Sequence, residues 1–365
     1  MISYQTTSPG AALQLVESTT PQPEGSEVLL RTVACGVCHS DVHLHHGAFD
    51  LGGGKQLDVA REGLVLGHEI CGEVVALGPD AIDYNPGAND NSPAAKIGEH
   101  RVVYPWIGCG DCPACARGEE HLCTPGQALG IIKAGGFADH VMVPHSRYLF
   151  AKGEVADSLA ATYACSGLTA FSALKKATAA IDAAAKSNAE SNDNALVIIG
   201  TGGVGMMAVQ IALAQGINPI AVDIDDAKLA ALNTLGVNHT FNSSDPQTAK
   251  AIRKLTGGAC AAIDFVGAEA SVNYGLNCLR KGGTLVIVGL YGGMLTMPIP
   301  FISMNARIIH GSYVGSLAEM DELMTLVRSG KLAPIQIHQR PLAEAEAALA
   351  DLEAGKVIGR QVLMA

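Results

Sequence analysis

The sequence predicts an α/β protein in which an irregular β domain precedes a doubly wound parallel sheet. Three observations carry that expectation. Up to about residue 150 the chain holds short β-type runs, such as Val28-Leu29-Leu30, Glu73-Val74-Val75 and Arg101-Val102-Val103-Tyr104, separated by Gly, Pro and Asn clusters. From Ala195 onward, strand-like and helix-like stretches alternate: Ala195–Ile199, Val204–Gln215, Ile220–Val222 and Asp225–Leu235, then Cys260–Val266, Glu269–Arg280 and Thr284–Val288. The first strand-to-helix junction in that series is the glycine-rich turn Gly200-Thr201-Gly202-Gly203-Val204-Gly205.

Between the two regions, Asp157–Lys186 is Ala-rich and reads as helix, and the polar stretch Ser187–Asn194 predicts an exposed loop. The tail from about Pro300 to Ala365 mixes two amphipathic helices with short strands, and part of it is expected to return to the first domain. The chain has 365 residues, 48% of them hydrophobic, enough for a large core and, by size, for two domains.

A net charge of -11 and a pI near 5.5 argue against nucleic acid as a partner, which normally needs a basic face. Met1–Glu17 has no basic start and no long apolar stretch, so neither a secretory signal nor a transit peptide is expected, and the cytoplasm is the expected compartment. Ala195–Val222 contains no Asp, Glu, Lys or Arg and is long enough to span a bilayer. Gly200, Gly202, Gly203, Gly205, Gly216 and Pro219 break it up, however, and a buried βαβ unit is expected there rather than a membrane helix.

Four of the ten cysteines crowd into one segment, Cys109, Cys112, Cys115 and Cys123, with Gly108, Gly110 and Pro113 among them. Without export signals, such clustering favours metal thiolates over disulfides, and four thiolates close the tetrahedral shell of a structural zinc. An iron–sulfur cluster and unpaired core cysteines are the alternatives. A second set is dispersed: Cys38 in Gly36-Val37-Cys38-His39-Ser40-Asp41, His68 in Gly67-His68-Glu69, and Cys165 in Ala164-Cys165-Ser166-Gly167. Singly, each would more often be a core residue than a ligand.

The glycine turn follows a strand and opens a helix, the context that a dinucleotide fingerprint requires. Its glycines allow a tight turn and close pyrophosphate approach, and the helix N-terminus supplies amide donors. Asp223 ends the next strand, where a carboxylate can accept the adenosine ribose hydroxyls and repel a 2′-phosphate. No arginine follows at Ile224, Asp225 or Asp226, so NAD is favoured over NADP. Lys228 could contact the ribose or simply lie on a solvated helix face.

Taken together, Gly-Val-Cys-His-Ser-Asp, Gly-His-Glu, the four-cysteine lobe, Cys-Ser-Gly-Leu-Thr-Ala and Gly-Thr-Gly-Gly-Val-Gly resemble, in order and over nearly the whole length, the zinc-containing alcohol dehydrogenases of the medium-chain dehydrogenase/reductase family. The resemblance implies a GroES-like β domain over 1–160 bearing both metal sites, a Rossmann NAD-binding domain over 161–300, and a segment 301–365 that finishes the Rossmann sheet and returns to the first domain. The active site would lie in the cleft between the domains.

The resemblance further implies that Cys38, His68 and Cys165 ligate a catalytic zinc, so that each subunit holds two Zn2+. Asp41 would orient His68, and Glu69 would approach the metal during ligand exchange. Ser40 would accept the alcohol proton and pass it on toward His43, whose titration range suits the task; His43 could equally be one solvent-facing imidazole among His39, His45 and His46. The resemblance also places His39 and Arg360 near the pyrophosphate, Thr169 against the nicotinamide, and Val266, Val288 and Ser312 around its carboxamide.

The implied activity is reversible oxidation of an alcohol to an aldehyde by hydride transfer, with a small-molecule substrate and neither a nucleic-acid nor a membrane partner. Phe49, Trp106 and Tyr313 are candidates for an aromatic pocket wall, favouring a larger or aromatic primary alcohol. A polyol, secondary-alcohol or amino-alcohol dehydrogenase of the same family is the near alternative. A zinc hydrolase or a noncatalytic nucleotide-binding module is the distant one. The short interval from Cys123 to Cys165 resembles the yeast and bacterial enzymes and implies a homo-oligomer, a tetramer rather than a dimer. The chain departs from the yeast-type pattern by an insertion at Asp50–Glu62 and another around Asn85–Lys96, and it lacks the usual proline before Gly-His-Glu.

Overall fold

The computed structural model describes residues 1–82, 95–185 and 194–365, so the expected loop Ser187–Asn194 and the insertion around Asn85–Lys96 fall almost wholly outside the described residues. The chain forms two compact units. The first comprises Met1–Ala48, Asp58–Leu168 and Val314–Ala365, and the second Phe49–Leu57 and Thr169–Tyr313.

The first unit is built on a mostly antiparallel sheet whose strands run, in spatial order, Ile337–Pro341, Arg360–Met364, Val28–Gly36, Glu69–Leu77, His100–Val103 and Leu149–Ala151, with His140–Val143 also pairing Val28–Gly36. Val28–Gly36 is buried at nearly every position, which explains why it reads as the run Val-Leu-Leu followed by Val-Ala-Cys rather than as clean alternation. Leu30, Ile70, Phe137, Tyr104 and Leu149 are fully buried around it. The last strand, Arg360–Met364, joins this sheet beside Val28–Gly36.

The second unit is a wholly parallel six-stranded sheet in the order His239–Asn242, Ile220–Asp223, Leu196–Ile199, Ala259–Asp264, Leu279–Ile287 and Ile308–Gly311. Leu196–Ile199, Ile220–Asp223 and Ala259–Asp264 are buried along their whole length, as parallel strands covered on both faces must be. That burial accounts for the charge-free run Ala195–Val222. No helix among the described residues is long and apolar enough to cross a membrane. Replacing one of these side chains, such as the fully buried Ile198, by Ala would cost about 2–5 kcal/mol.

Three features lie outside the sequence expectations. Strand His239–Asn242 and helix Thr248–Thr256 complete the alternation; the strand is short, polar and at a sheet edge, which hides it from periodicity. Asp157–Lys186 is interrupted by a π-helical turn at Tyr163–Gly167, between helices Asp157–Thr162 and Leu168–Ala185. The insertion at Asp50–Glu62 forms a hairpin, Ala48–Gly52 with Lys55–Asp58, turning on Gly53 and Gly54 with φ of +61° and +75°. Its tip rests within the second unit, where a Cβ on Gly52 would lie 2.2 Å from the Gly293 carbonyl oxygen.

Candidate metal centres and dinucleotide site

In the first unit Cys38, His68 and Cys165 converge, their ligand atoms all within 4.8 Å of one another and all three residues buried. Cys38 caps helix His39–His46, His68 precedes strand Glu69–Leu77, and Cys165 sits in the π-helical turn, the kind of local irregularity that often marks a functional position. Gly67, just before His68, adopts φ +90° and is so closely packed that a Cβ would lie 2.5 Å from the Phe137 ring and 2.6 Å from the Cys35 sulfur. Only glycine permits that turn.

Asp41, wholly buried, ties two of the three together. Its carboxylate accepts the Cys38 N–H at 2.9 Å, the Gly67 N–H at 3.1 Å and His68 Nδ1 at 3.1 Å. With Nδ1 donating to Asp41, the other ring nitrogen carries the lone pair, and Nε2 is buried with no hydrogen-bond partner. A buried imidazole nitrogen left unpaired beside two sulfurs is the arrangement a borderline-soft cation satisfies. The Cys165 thiol donates to Cys38, holding Cys38 well below and Cys165 well above the ordinary cysteine value.

Glu69 accepts the Ser166 N–H at 3.1 Å and forms a fully buried ion pair with Arg360, whose side chain is 3% exposed. Burial raises the Glu69 pKa despite the opposing Arg360 charge. Arg360 thus has a partner in the first unit that sequence reasoning did not assign to it. Ser40 and His43 are half-buried one helical turn apart on His39–His46, and His39 is exposed. Burial, reinforced by the neighbouring His39, lowers the His43 pKa. Trp106 lies beside His68, ring centroids 5.5 Å apart, and its indole N–H donates to the Ala164 carbonyl at 3.2 Å. Phe49 and Tyr313 belong to the second unit.

Cys109, Cys112, Cys115 and Cys123 form the other cluster, again within 4.8 Å of one another. None of the ten cysteines is in a disulfide. Cys112 lies 3.6 Å from Cys115 and 3.7 Å from Cys123, and the Cys109 N–H points at the Cys123 sulfur at 3.3 Å. The Cys115 amide draws Cys112 down to about 7. Buried Glu120, inside the lobe, accepts the Tyr148 hydroxyl at 2.9 Å and pairs with Arg147, fastening the lobe to the sheet. Sequence reasoning passed over Glu120, an acidic residue with no motif around it.

In the second unit Gly200 ends strand Leu196–Ile199 with φ +81°, and a Cβ there would lie 2.6 Å from Val266 Cγ2. A Cβ on Gly205 would lie 1.8 Å from the Gly200 carbonyl oxygen, whereas one on Gly202 would meet nothing within 4 Å. The loop is therefore closed toward the sheet and open on its outer face, as a pyrophosphate cradle must be. Helix Gly203–Ala214 begins directly from it. Asp223 accepts the Thr201 N–H at 2.6 Å and the Thr201 hydroxyl at 2.9 Å on one oxygen, and the Ile224 and Asp225 N–H groups at 2.8 and 3.1 Å on the other.

Val266, Val288 and Ser312 each follow the C-terminal end of one of the three strands beyond the glycine loop, at the edge where open α/β sheets bind ligands. Ser312 is held by Lys176 Nζ at 3.1 Å. Thr169 is buried, with its hydroxyl oxygen lacking a partner. Lys228 lies 4.0 Å from the Asp225 carboxylate.

Comparison with known proteins bears on the family. Residues 24–153 match the model of the alcohol dehydrogenase GroES-like domain, and residues 203–329 match that of the zinc-binding dehydrogenase. An NAD-dependent alcohol dehydrogenase of Sulfurisphaera tokodaii is 36% identical, with 97% of each chain covered. The chain belongs to the zinc-containing alcohol dehydrogenases of the medium-chain family. Membership makes it an oxidoreductase of the alcohol dehydrogenase type, with a GroES-like and a Rossmann unit. The crystal structure of the Aeropyrum pernix alcohol dehydrogenase superposes with a TM-score of 0.81 at 28% identity, both chains covered entirely. That of Geotrichum candidum acetophenone reductase in complex with NAD superposes with a TM-score of 0.80 at 27% identity, covering 100% of this chain and 97% of that one.

Proposed function

We propose that the chain catalyses the reversible, zinc- and NAD-dependent oxidation of an alcohol, a primary one with a bulky or aromatic group in first place. The observation that carries this is the buried trio Cys38, His68 and Cys165, three soft ligands with His68 Nε2 unpaired and Nδ1 anchored by Asp41. Three protein ligands leave a tetrahedral ion one open position, the mark of a catalytic rather than a structural site. Zinc bound there supplies Lewis-acid polarisation of the substrate oxygen. The four cysteines of the lobe would hold a second zinc with no open position.

The remaining tasks fall to side chains. Ser40 Oγ takes the proton leaving the alcohol, and His43 passes it toward solvent; the depressed pKa of His43 leaves its ring neutral and ready to accept at pH 7. Rates should fall as pH drops through a value below the ordinary histidine range, and His43→Gln should remove that limb. The Gly200–Gly205 turn and the following helix N-terminus bind the pyrophosphate, and Asp223 disfavours a 2′-phosphate. Trp106, packed beside His68, supports an apolar wall near the reacting carbon.

Oxidation of secondary alcohols is the second reading, supported by the neighbour named as acetophenone reductase. A homo-tetramer, inferred from the short Cys123–Cys165 interval, and residence in a reducing compartment such as the cytoplasm, consistent with ten thiols and no disulfide, belong to the same proposal. The test is NADH formation with primary, secondary, aromatic and polyol substrates. Turnover of primary aromatic alcohols above all others is expected; a preference for secondary alcohols selects the second reading, and no turnover with any alcohol refutes both. Native mass spectrometry checks the subunit count.

A further inference from the structure

Asp264 ends strand Ala259–Asp264 and is completely buried. Its carboxylate accepts the Val266 N–H at 2.9 Å on one oxygen, and the Gly267 N–H at 3.1 Å and the Ser271 hydroxyl at 3.0 Å on the other. Its own carbonyl oxygen accepts the N–H groups of Val288 at 2.9 Å and Gly289 at 3.1 Å, from the turn that leaves the neighbouring strand. One residue therefore organises the turns after two adjacent parallel strands.

Those turns interlock with each other and with the glycine loop. A Cβ on Gly267 would lie 2.0 Å from the Gly289 carbonyl oxygen, and one on Gly289 would lie 2.0 Å from the Val266 carbonyl carbon. Val266 Cγ2 in turn closes the space beside Gly200, at the 2.6 Å noted above. Contacts run without a gap from Asp264, through Val266, Gly267 and Gly289, to the loop that cradles the pyrophosphate.

A carboxylate is an expensive choice for such a position. All three of its donors are neutral groups, and burial raises its pKa from the ordinary aspartate value despite the hydrogen bonds from Val266, Ser271 and Gly267 that lower it. Packing alone would be served as well by an uncharged side chain. What an anionic carboxylate adds is simultaneous acceptance of three donors in a fixed geometry, which an amide cannot match. Local costs of this kind concentrate at functional positions.

We propose that Asp264 is a positioning residue of the dinucleotide site: by clamping the Val266–Gly267 turn against Gly200, it fixes the nicotinamide-side wall of the pocket and thereby sets the affinity for NAD. The adenosine side depends on Asp223, which ends a strand on the other side of the Gly200 strand and shares no hydrogen bond with Asp264. The inference rests on the NAD reading given above.

Calorimetry of the zinc-loaded protein with NAD and, separately, with AMP tests it. In Asp264→Asn the amide NH2 must face either the Gly267 N–H or, with the amide turned over, the Val266 N–H, donor against donor in both orientations. NAD affinity should fall roughly tenfold or more, the effect of losing one charge-assisted hydrogen bond, while AMP affinity stays within about twofold. Equal NAD affinity in variant and wild type overturns the proposal, and so does a parallel loss for NAD and AMP, which would mark a general folding defect. Should Asp264→Asn not fold, Ser271→Ala keeps the carboxylate and removes one donor. It should weaken NAD by a few-fold and spare AMP, and equal effects on the two ligands overturn the proposal. Wild-type protein that binds AMP but not NAD would instead count against the cofactor reading itself.

Discussion

Glu69 and Arg360 form an ion pair in which neither side chain is more than 3% exposed, although 291 residues separate them in sequence. The pair links the strand that begins immediately after His68 to the final strand of the chain. Breaking one side leaves a buried, uncompensated charge, which typically costs about 3–5 kcal/mol. Glu69→Gln should therefore lower the stability measured by denaturant unfolding by about that amount. Combining it with Arg360→Met should recover a large part, and additive losses would show that the two do not act as a pair.

Two zinc ions per subunit are expected by mass-spectrometric metal analysis. Cys38→Ala should reduce the count to one, abolish turnover and leave NAD binding intact, because the glycine loop lies in the other unit. Surviving turnover would remove the catalytic role of the trio. Cys112→Ser should cost the other ion and, with it, thermal stability.

Asp223 already accepts four hydrogen bonds from Thr201, Ile224 and Asp225, so a ribose hydroxyl binds there only by sharing or displacing one of them. Asp223→Ser removes the carboxylate to which the proposed function assigns repulsion of a 2′-phosphate. The ratio of kcat/KM for NAD to that for NADP should fall by about tenfold or more. An unchanged ratio would assign Asp223 to holding the loop alone.

Asp157 opens the helix leading to Cys165 and accepts His100 Nδ1 at 2.9 Å, with Lys152 Nζ at 3.5 Å. Burial pushes its pKa up, but the hydrogen bond from His100 and the Lys152 charge prevail and hold it below 3.8. The folded protein thus binds this proton less readily than the unfolded chain. The stabilisation is complete above 3.8 and disappears as pH falls through the lower folded value. Asp157→Asn should cost about 0.5 kcal/mol near pH 7, allowing for solvent screening, and almost nothing near pH 2. A loss independent of pH would point to packing instead.

The two clusters of candidate ligands, the glycine turn and the acidic strand end at Asp223 were legible in the amino-acid sequence because each is a local pattern. Cysteine and histidine are few, their spacings are specific, and a strand–glycine–helix junction is written in consecutive residues. Most strands and helices of the second unit were legible for the same reason, since apolar runs between glycines record burial directly.

What only the tertiary structure decided are the partnerships: Asp41 with both Cys38 and His68, Glu69 with Arg360, Glu120 with Tyr148, Asp264 with the turns around Gly200, and the seating of the Gly52 hairpin in the second unit. Each depends on which strands become neighbours and in what register. A lone buried acid such as Asp264 carries no periodicity, and its donors are backbone N–H groups that every residue but proline possesses. Side-chain identity names the atoms that can bind, while chain packing selects the ones that meet.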